Sequence, residues 1–192
     1  MTYEKKDFYH RKAKEEGFLA RSAYKLQEIQ KKFSIIHRSN HILDLGCAPG
    51  AWVQVALPLV GKDGVVVGID LENITVLKHD NFRFIHGDAF ALKEGEIPEA
   101  PFQTVLSDMA PKTSGIKLRD HMRSVELCQR ALGVCETVLA RNGNFVMKIF
   151  EGEESKELNA QARAMFKDVK LFRPQSTRQA SIEIYLVAKG KK

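Results

Sequence analysis

Lys148 lies inside an apolar run, FVMKIF at 145–150, and Asp108 closes another, TVLSD at 104–108. Burying an ammonium or a carboxylate is costly unless the charge is paired or neutralised by proton transfer. A structural ion pair would account for both residues. A lysine that takes up a proton during a reaction would account for Lys148 as well. That second role is demanding, because an ordinary lysine titrates near ~10.4 and half-deprotonation near neutral pH requires a fall of roughly three units, about 4 kcal/mol.

A second group of residues is suited to holding a ligand. In DLGCAPGAW, at 44–52, a buried strand runs into small residues at Gly46, Cys47, Ala48 and Gly50 before a helix begins. Small side chains let a ligand approach the backbone at the carboxyl end of a parallel strand, where such sheets bind ligands. The turn departs from the dinucleotide pattern G-x-G-x-x-G, because Ala48 stands at the second glycine and Pro49 follows. The next strand ends in GID, placing Asp70 where a carboxylate can accept from two ribose hydroxyls. The third ends in HGD, placing Asp88 where it can accept from an adenine amino group. Each Gly or Asp turn alone has an ordinary structural explanation. Three consecutive strand ends supplying Gly, Asp and Asp point to one nucleoside site.

Such a site requires strands that end along one edge. Short apolar runs bounded by turn residues occur at 41–46, 65–70, 82–87, 104–108, 145–150 and 182–188, and read as strands. Helical patterns lie between several of them, at 52–60, 118–139 and 155–166, so strands and helices alternate as in a mainly parallel α/β sheet. The stripe Leu118, Met122, Val125, Cys128, Leu132, Cys135 and Leu139 should pack on that sheet, with Asn142 and Gly143 stopping the helix. A further amphipathic helix is expected over 22–36, after a basic helical N-terminus. No internal repeat or long linker divides the chain, so residues 1–192 read as one domain.

Composition fits that expectation: 192 residues, 44% hydrophobic and 28% charged, suit a globular protein with its own core. No run approaches the roughly 20 apolar residues of a membrane span, and the first residues lack a signal peptide's apolar stretch. A cytoplasmic monomer with no membrane partner is expected. Cys47, Cys128 and Cys135 form no C-x-x-C pair, and Cys128 and Cys135 read as core residues of one helix face. His37 and His41 have helical ligand spacing but lack acidic or cysteine companions, so no metal is expected.

The formal charge is +6, and residues 1–40 hold ten Lys/Arg against five Asp/Glu, a surplus of five. Phe8, Tyr9 and Phe18 are interleaved there with Lys5, Lys6, Arg11, Lys12, Lys14 and Arg21. This suits nucleic-acid phosphates with some base or ribose stacking, although a solvated helix face has the same composition.

With its D-L-G-x-x-P-G-x-W turn, the chain resembles the FtsJ/RrmJ family of RNA ribose methyltransferases. The resemblance implies a Rossmann-like fold dependent on S-adenosylmethionine (SAM), with a mostly parallel seven-stranded sheet, helices on both faces and a closing antiparallel hairpin. It implies SAM contacts from Gly50, Trp52, Asp70, Asp88 and Asp108. Four segments spread over residues 21–188 also match in order: RSAYKL, SDMAP, FVMKIF and SIEIYLVA. They imply a catalytic tetrad of Lys25, Asp108, Lys148 and Glu183. On their own, Lys25 reads as a helix-surface lysine and Glu183 as an exposed strand residue. Cys47 and Ala51 depart from the commonest family pattern without blocking SAM by size.

In the implied reaction a ribose hydroxyl attacks the methyl carbon of a sulfonium, and a neutral thioether leaves. An alcohol attacks poorly until a base takes or holds its proton. The preferred expectation is that Lys148 accepts the proton, Asp108 orients it, and Lys25 and Glu183 position the hydroxyl. Lys112, Lys117, Arg119 and Arg123 could hold phosphates nearby. SDMAP and the loop containing Gly115 are similar to members acting on a uridine of large-subunit ribosomal RNA. Members acting on transfer RNA are the nearest alternative. Two more distant readings are a small-molecule or protein methyltransferase, with no need of the tetrad, and a non-enzymatic RNA-binding module, with no need of Lys148.

Overall fold

The computed structural model describes residues 2–74, 76–91, 97–111 and 117–192, leaving aside the side chains of residues 2–7, 117, 118 and 120. The expectations placed on Lys5, Lys6, Lys112, Gly115 and the side chains of Lys117 and Leu118 therefore lie outside the described residues.

The chain opens with α1 (Thr2–Glu15) and α2 (Ala23–Phe33), followed by β1 (His41–Leu45), α3 (Ala51–Val60), β2 (Val65–Asp70) and β3 (Phe82–His86). It continues through β4 (Phe102–Ser107), α4 (Lys117–Val138), β5 (Leu139–Phe150), α5 (Glu154–Met165), β6 (Phe166–Phe172) and β7 (Glu183–Lys191). The seven strands form one sheet in the order β3-β2-β1-β4-β5-β7-β6. Neighbours from β3 through β5 are parallel, and β7 runs antiparallel to both β5 and β6. The strand order reverses between β1 and β4, where a crevice opens at the carboxyl ends of parallel strands.

Alternating burial along the strands explains why helices cover both faces. On one face Ala23, Leu26 and Ile29 of α2 and Val53, Ala56 and Leu57 of α3 pack with Ile42, Val66, Leu106, Val146 and Val187. On the other, Cys128, Leu132 and Cys135 of α4 and Leu158 and Ala162 of α5 pack with Leu43, Val67, Val105, Met147 and Leu186. Adjacent residues of a strand thus enter different cores, as a period of two dictates. α2 stops where Ser34 takes a left-handed conformation, and the Gln30 side chain then accepts the N–H groups of Ile35 and Ile36.

Three local expectations are corrected. FKDVKLF at 166–172 is the edge strand β6, a strand absent from the six apolar runs and overlapping the helical pattern at 166; its buried residues Phe166 and Val169 fall three apart, which hides the strand. α4 ends at Val138, four residues before Asn142, and the chain passes directly into β5. Asn142 instead takes a positive φ of 63° where the β4–β5 register shifts. Near the start of α4, Met122 is exposed while Ser124 is buried, so the packing stripe runs through Ser124, Cys128, Ala131 and Cys135.

Candidate active site

The register of the sheet brings together residues far apart in sequence. Ser107 pairs with Met147 across β4 and β5, so Asp108, the next residue, arrives beside Lys148. Lys148 pairs with Tyr185 across β5 and β7, and Glu183 lies two residues before Tyr185 on the same strand face. α2 covers that face and contributes Lys25.

Lys148 Nζ donates to the Asp108 carbonyl oxygen at 2.6 Å and lies 3.1 Å from Asp108 Oδ1. The Tyr185 hydroxyl donates to the same Oδ1 at 2.7 Å. Lys25 Nζ donates to Glu183 Oε2 at 2.7 Å and sits 5.6 Å from the centre of the Tyr185 ring. Side-chain exposure is 8% for Lys148 and 9% for Lys25, against 28% for Glu183. The four expected tetrad positions thus form two ion pairs joined through Tyr185, a residue that sequence reasoning passed over because an aromatic in an apolar strand reads as core.

The surroundings act on the protonation of Glu183 and of Tyr185. Burial opposes ionisation of Glu183, but the combined pull of Lys25, its hydrogen bond and Lys148 outweighs it and holds the carboxyl below its ordinary value. Burial, then the neighbouring Asp108 charge, holds the Tyr185 hydroxyl well above its ordinary value, so it remains a donor.

Beside the tetrad, a cleft of about 660 Å³ is lined by Gly46, Ala48, Asp70, Asp88, Met109 and Asp108, among others. Gly46 has φ +72°, and a Cβ there would collide with the Met109 side chain, so only glycine gives this close turn. Asp70 is braced at both oxygens, accepting Ala48 N–H and Glu72 N–H at 2.8 Å each. Asp88 Oδ1 accepts Phe90 N–H at 2.9 Å. Behind the turn, Asp44 is buried with Oδ2 unpartnered, and burial, with Asp108 and Asp70 nearby, raises its carboxyl well above the ordinary range.

Gly50 and Trp52 do not line the cleft. Gly50 has φ +109° and a Cβ there would press on Leu77. Trp52 is 3% exposed; its indole N–H donates to the Ser22 carbonyl at 2.9 Å, and its ring stands 5.8 Å from that of Tyr185. Arg123 lines the cleft together with Glu126 and Leu127. In the basic N-terminal segment, Tyr9 and Phe18 pack on Tyr24, leaving Phe8 as its exposed aromatic among the described side chains. All three cysteines are buried.

A doubly wound sheet with a glycine turn and acidic strand ends, joined to a lysine–carboxylate cluster, defines a Rossmann-like methyltransferase. Residues 18–191 match the model of the FtsJ-like methyltransferases, and the chain belongs to that family. It is 44% identical over 189 residues to the Ribosomal RNA large subunit methyltransferase E of Desulfatibacillum aliphaticivorans, covering 97% of this chain and 91% of the relative. It is 43% identical to the protein of that name from Bdellovibrio bacteriovorus, over the full length of both. A crystal structure from Plasmodium falciparum, named as a ribosomal RNA methyltransferase, superposes with a TM-score of 0.78 at 28% identity, covering 91% of this chain and 98% of that one. Fibrillarin from Aeropyrum pernix, solved with SAM bound, shares the fold at a TM-score of 0.60 and 18% identity, covering 87% of this chain and 76% of that one.

Proposed function

We propose that this chain transfers a methyl group from SAM to a ribose 2′-hydroxyl of RNA, with a uridine of large-subunit ribosomal RNA as the target. One observation carries the reading: Asp108 both lines the ligand cleft and holds Lys148, joining a donor site to a base.

The cleft suits the cofactor chemically. SAM carries a sulfonium and an ammonium, and Asp70, Glu72, Asp88, Asp108 and Glu126 all line the cleft, against one cation, Arg123, among the described residues. Asp70 and Asp88 retain lone pairs beyond those used by backbone N–H groups, and these would take the ribose and adenine donors. Gly50 and Trp52 would act behind that site, by shaping the turn and supporting α2. When bound, the cofactor supplies an electrophilic methyl carbon.

On the acceptor side, the ammonium of Lys148 must first give up a proton; the amine that results has two hydrogens, matching its two contacts to Asp108. The remaining lone pair can then receive the proton of the attacking hydroxyl. Tyr185 shares the Asp108 charge and fixes its rotamer. The Lys25–Glu183 pair places a donor and an acceptor next to the reacting ribose, so that orientation contributes alongside proton transfer.

No described helix is long and apolar enough to cross a membrane. The chain works in the cytoplasm as a monomeric single domain, and residues 1–38 contribute cations to RNA binding. Incubation with methyl-labelled SAM and separate ribosomal-subunit and transfer RNA preparations, followed by mapping of 2′-O-methyl positions, tests reaction and substrate together. Label confined to transfer RNA would reject the ribosomal target. A Lys148→Ala protein with normal SAM and RNA binding and wild-type turnover would reject the base.

A further inference from the structure

Ten residues, 173–182, connect β6 to β7 and lead directly into Glu183. Their backbone is fastened to α2 and the turn before it by two side chains, Arg21 and Glu28, and a third, Lys25, holds the Glu183 side chain just beyond them. The Arg21 guanidinium donates to the Ser176 carbonyl. Lys25 pairs with Glu183. Glu28 accepts Gln175 N–H at Oε2, 2.5 Å, and Ser176 N–H at Oε1, 2.9 Å. Positions 21, 25 and 28 follow helical spacing, so one face grips a single stretch of chain.

We propose that Glu28 is a positioning residue for the RNA acceptor: by capping the backbone at 175 and 176 it fixes the loop that presents Arg178. The inference rests on the RNA reading above. A carboxylate accepting two adjacent backbone N–H groups forms charge-assisted bonds, stronger than neutral ones. The loop residues inside this grip, Ser176 and Thr177, are buried, while Gln175 and Arg178 on either side are exposed. Burial, and after it the charge of nearby Arg178, lowers the Arg21 pKa. The rim beside the Lys25–Glu183 pair is therefore cationic, and its shape depends on where the loop is held. Glu28 itself belongs neither to the cleft nor to the tetrad, so its loss should reach the acceptor and spare the donor.

The test is steady-state methylation of RNA by wild type, Glu28→Ala and Glu28→Gln, with SAM affinity measured separately by calorimetry. Loss of about 1.4 kcal/mol of loop positioning corresponds to a roughly tenfold rise in KM for RNA in Glu28→Ala. Its kcat should change less than about threefold and SAM affinity less than about twofold. Glu28→Gln keeps an oxygen able to accept one of the two N–H groups and should lie between, with KM raised about threefold. Wild-type KM for RNA in either folded variant would overturn the proposal, as would parallel losses of SAM affinity. Failure of the wild type to methylate RNA in the same assay would instead reject the proposed function.

Discussion

Lys148 and Tyr185 stand opposite each other across β5 and β7, and both reach Oδ1 of Asp108. The carboxylate oxygen is thereby held from two sides, by a cation and by a neutral donor. Removing the neutral donor leaves the ion pair in place but loosens its geometry. Tyr185→Phe should cost about 1 kcal/mol of stability and lower kcat roughly tenfold, with SAM affinity changed less than about twofold. Single-turnover methylation and calorimetric SAM titration would check this; an unchanged kcat would show that Asp108 needs no second anchor.

The Lys25–Glu183 pair makes a pH-dependent contribution whose sign follows from the carboxyl. Glu183 is held below its ordinary value of 4.5, so the folded state favours its ionised form. The stabilisation is fully present above that ordinary value and disappears as pH falls through the lower folded value. Glu183→Gln should be less stable than wild type by about 1–2 kcal/mol from pH ~8 down to ~5, and the difference should close as pH falls through the lowered folded value of Glu183. Urea denaturation at a series of pH values would measure it; a difference that persisted in acid would point to packing.

How much of this was legible in sequence depends on the range of the interaction. Strands β1, β2 and β4 announce themselves as apolar runs, and their terminal Gly46, Asp70 and Asp108 mark the ligand edge because turn chemistry is local. β6 is a half-exposed edge strand whose apolar spacing imitates a helix, and only pairing with β7 makes it a strand. The Lys25–Glu183 contact spans 158 residues, so its geometry exists only after the sheet has closed, although both positions were expected from family resemblance. Tyr185 and Glu28 carried no local signal at all: one looks like core and the other like a solvated helix carboxylate.

The three thiols offer a prediction about chemistry the protein should resist. Burial pushes the Cys128 thiol up to about 12 and raises Cys47 and Cys135 as well. Thiolate, the reactive form, is therefore scarce at neutral pH, and access is closed. Iodoacetamide at pH ~7.5 should leave the native protein unmodified by mass spectrometry while labelling all three positions in denaturant. Rapid labelling of Cys47 in the native state would reveal opening of the turn that borders the cleft.

Trp52 separates a cofactor contact from a scaffold role. Its indole N–H is bound to the Ser22 carbonyl, the same oxygen that accepts the Lys25 backbone N–H at the start of α2. Its ring lies against that of Tyr185, whose hydroxyl reaches Asp108. Trp52→Phe deletes the donor and part of the ring, and should lower stability by about 1–3 kcal/mol. Because α2 carries Lys25, RNA turnover should fall several-fold, on the order of the tenfold expected for losing one anchoring bond, while SAM affinity stays within about twofold. If SAM affinity instead drops by more than about tenfold in a protein that remains folded, the indole must reach the cofactor after the cleft closes around it.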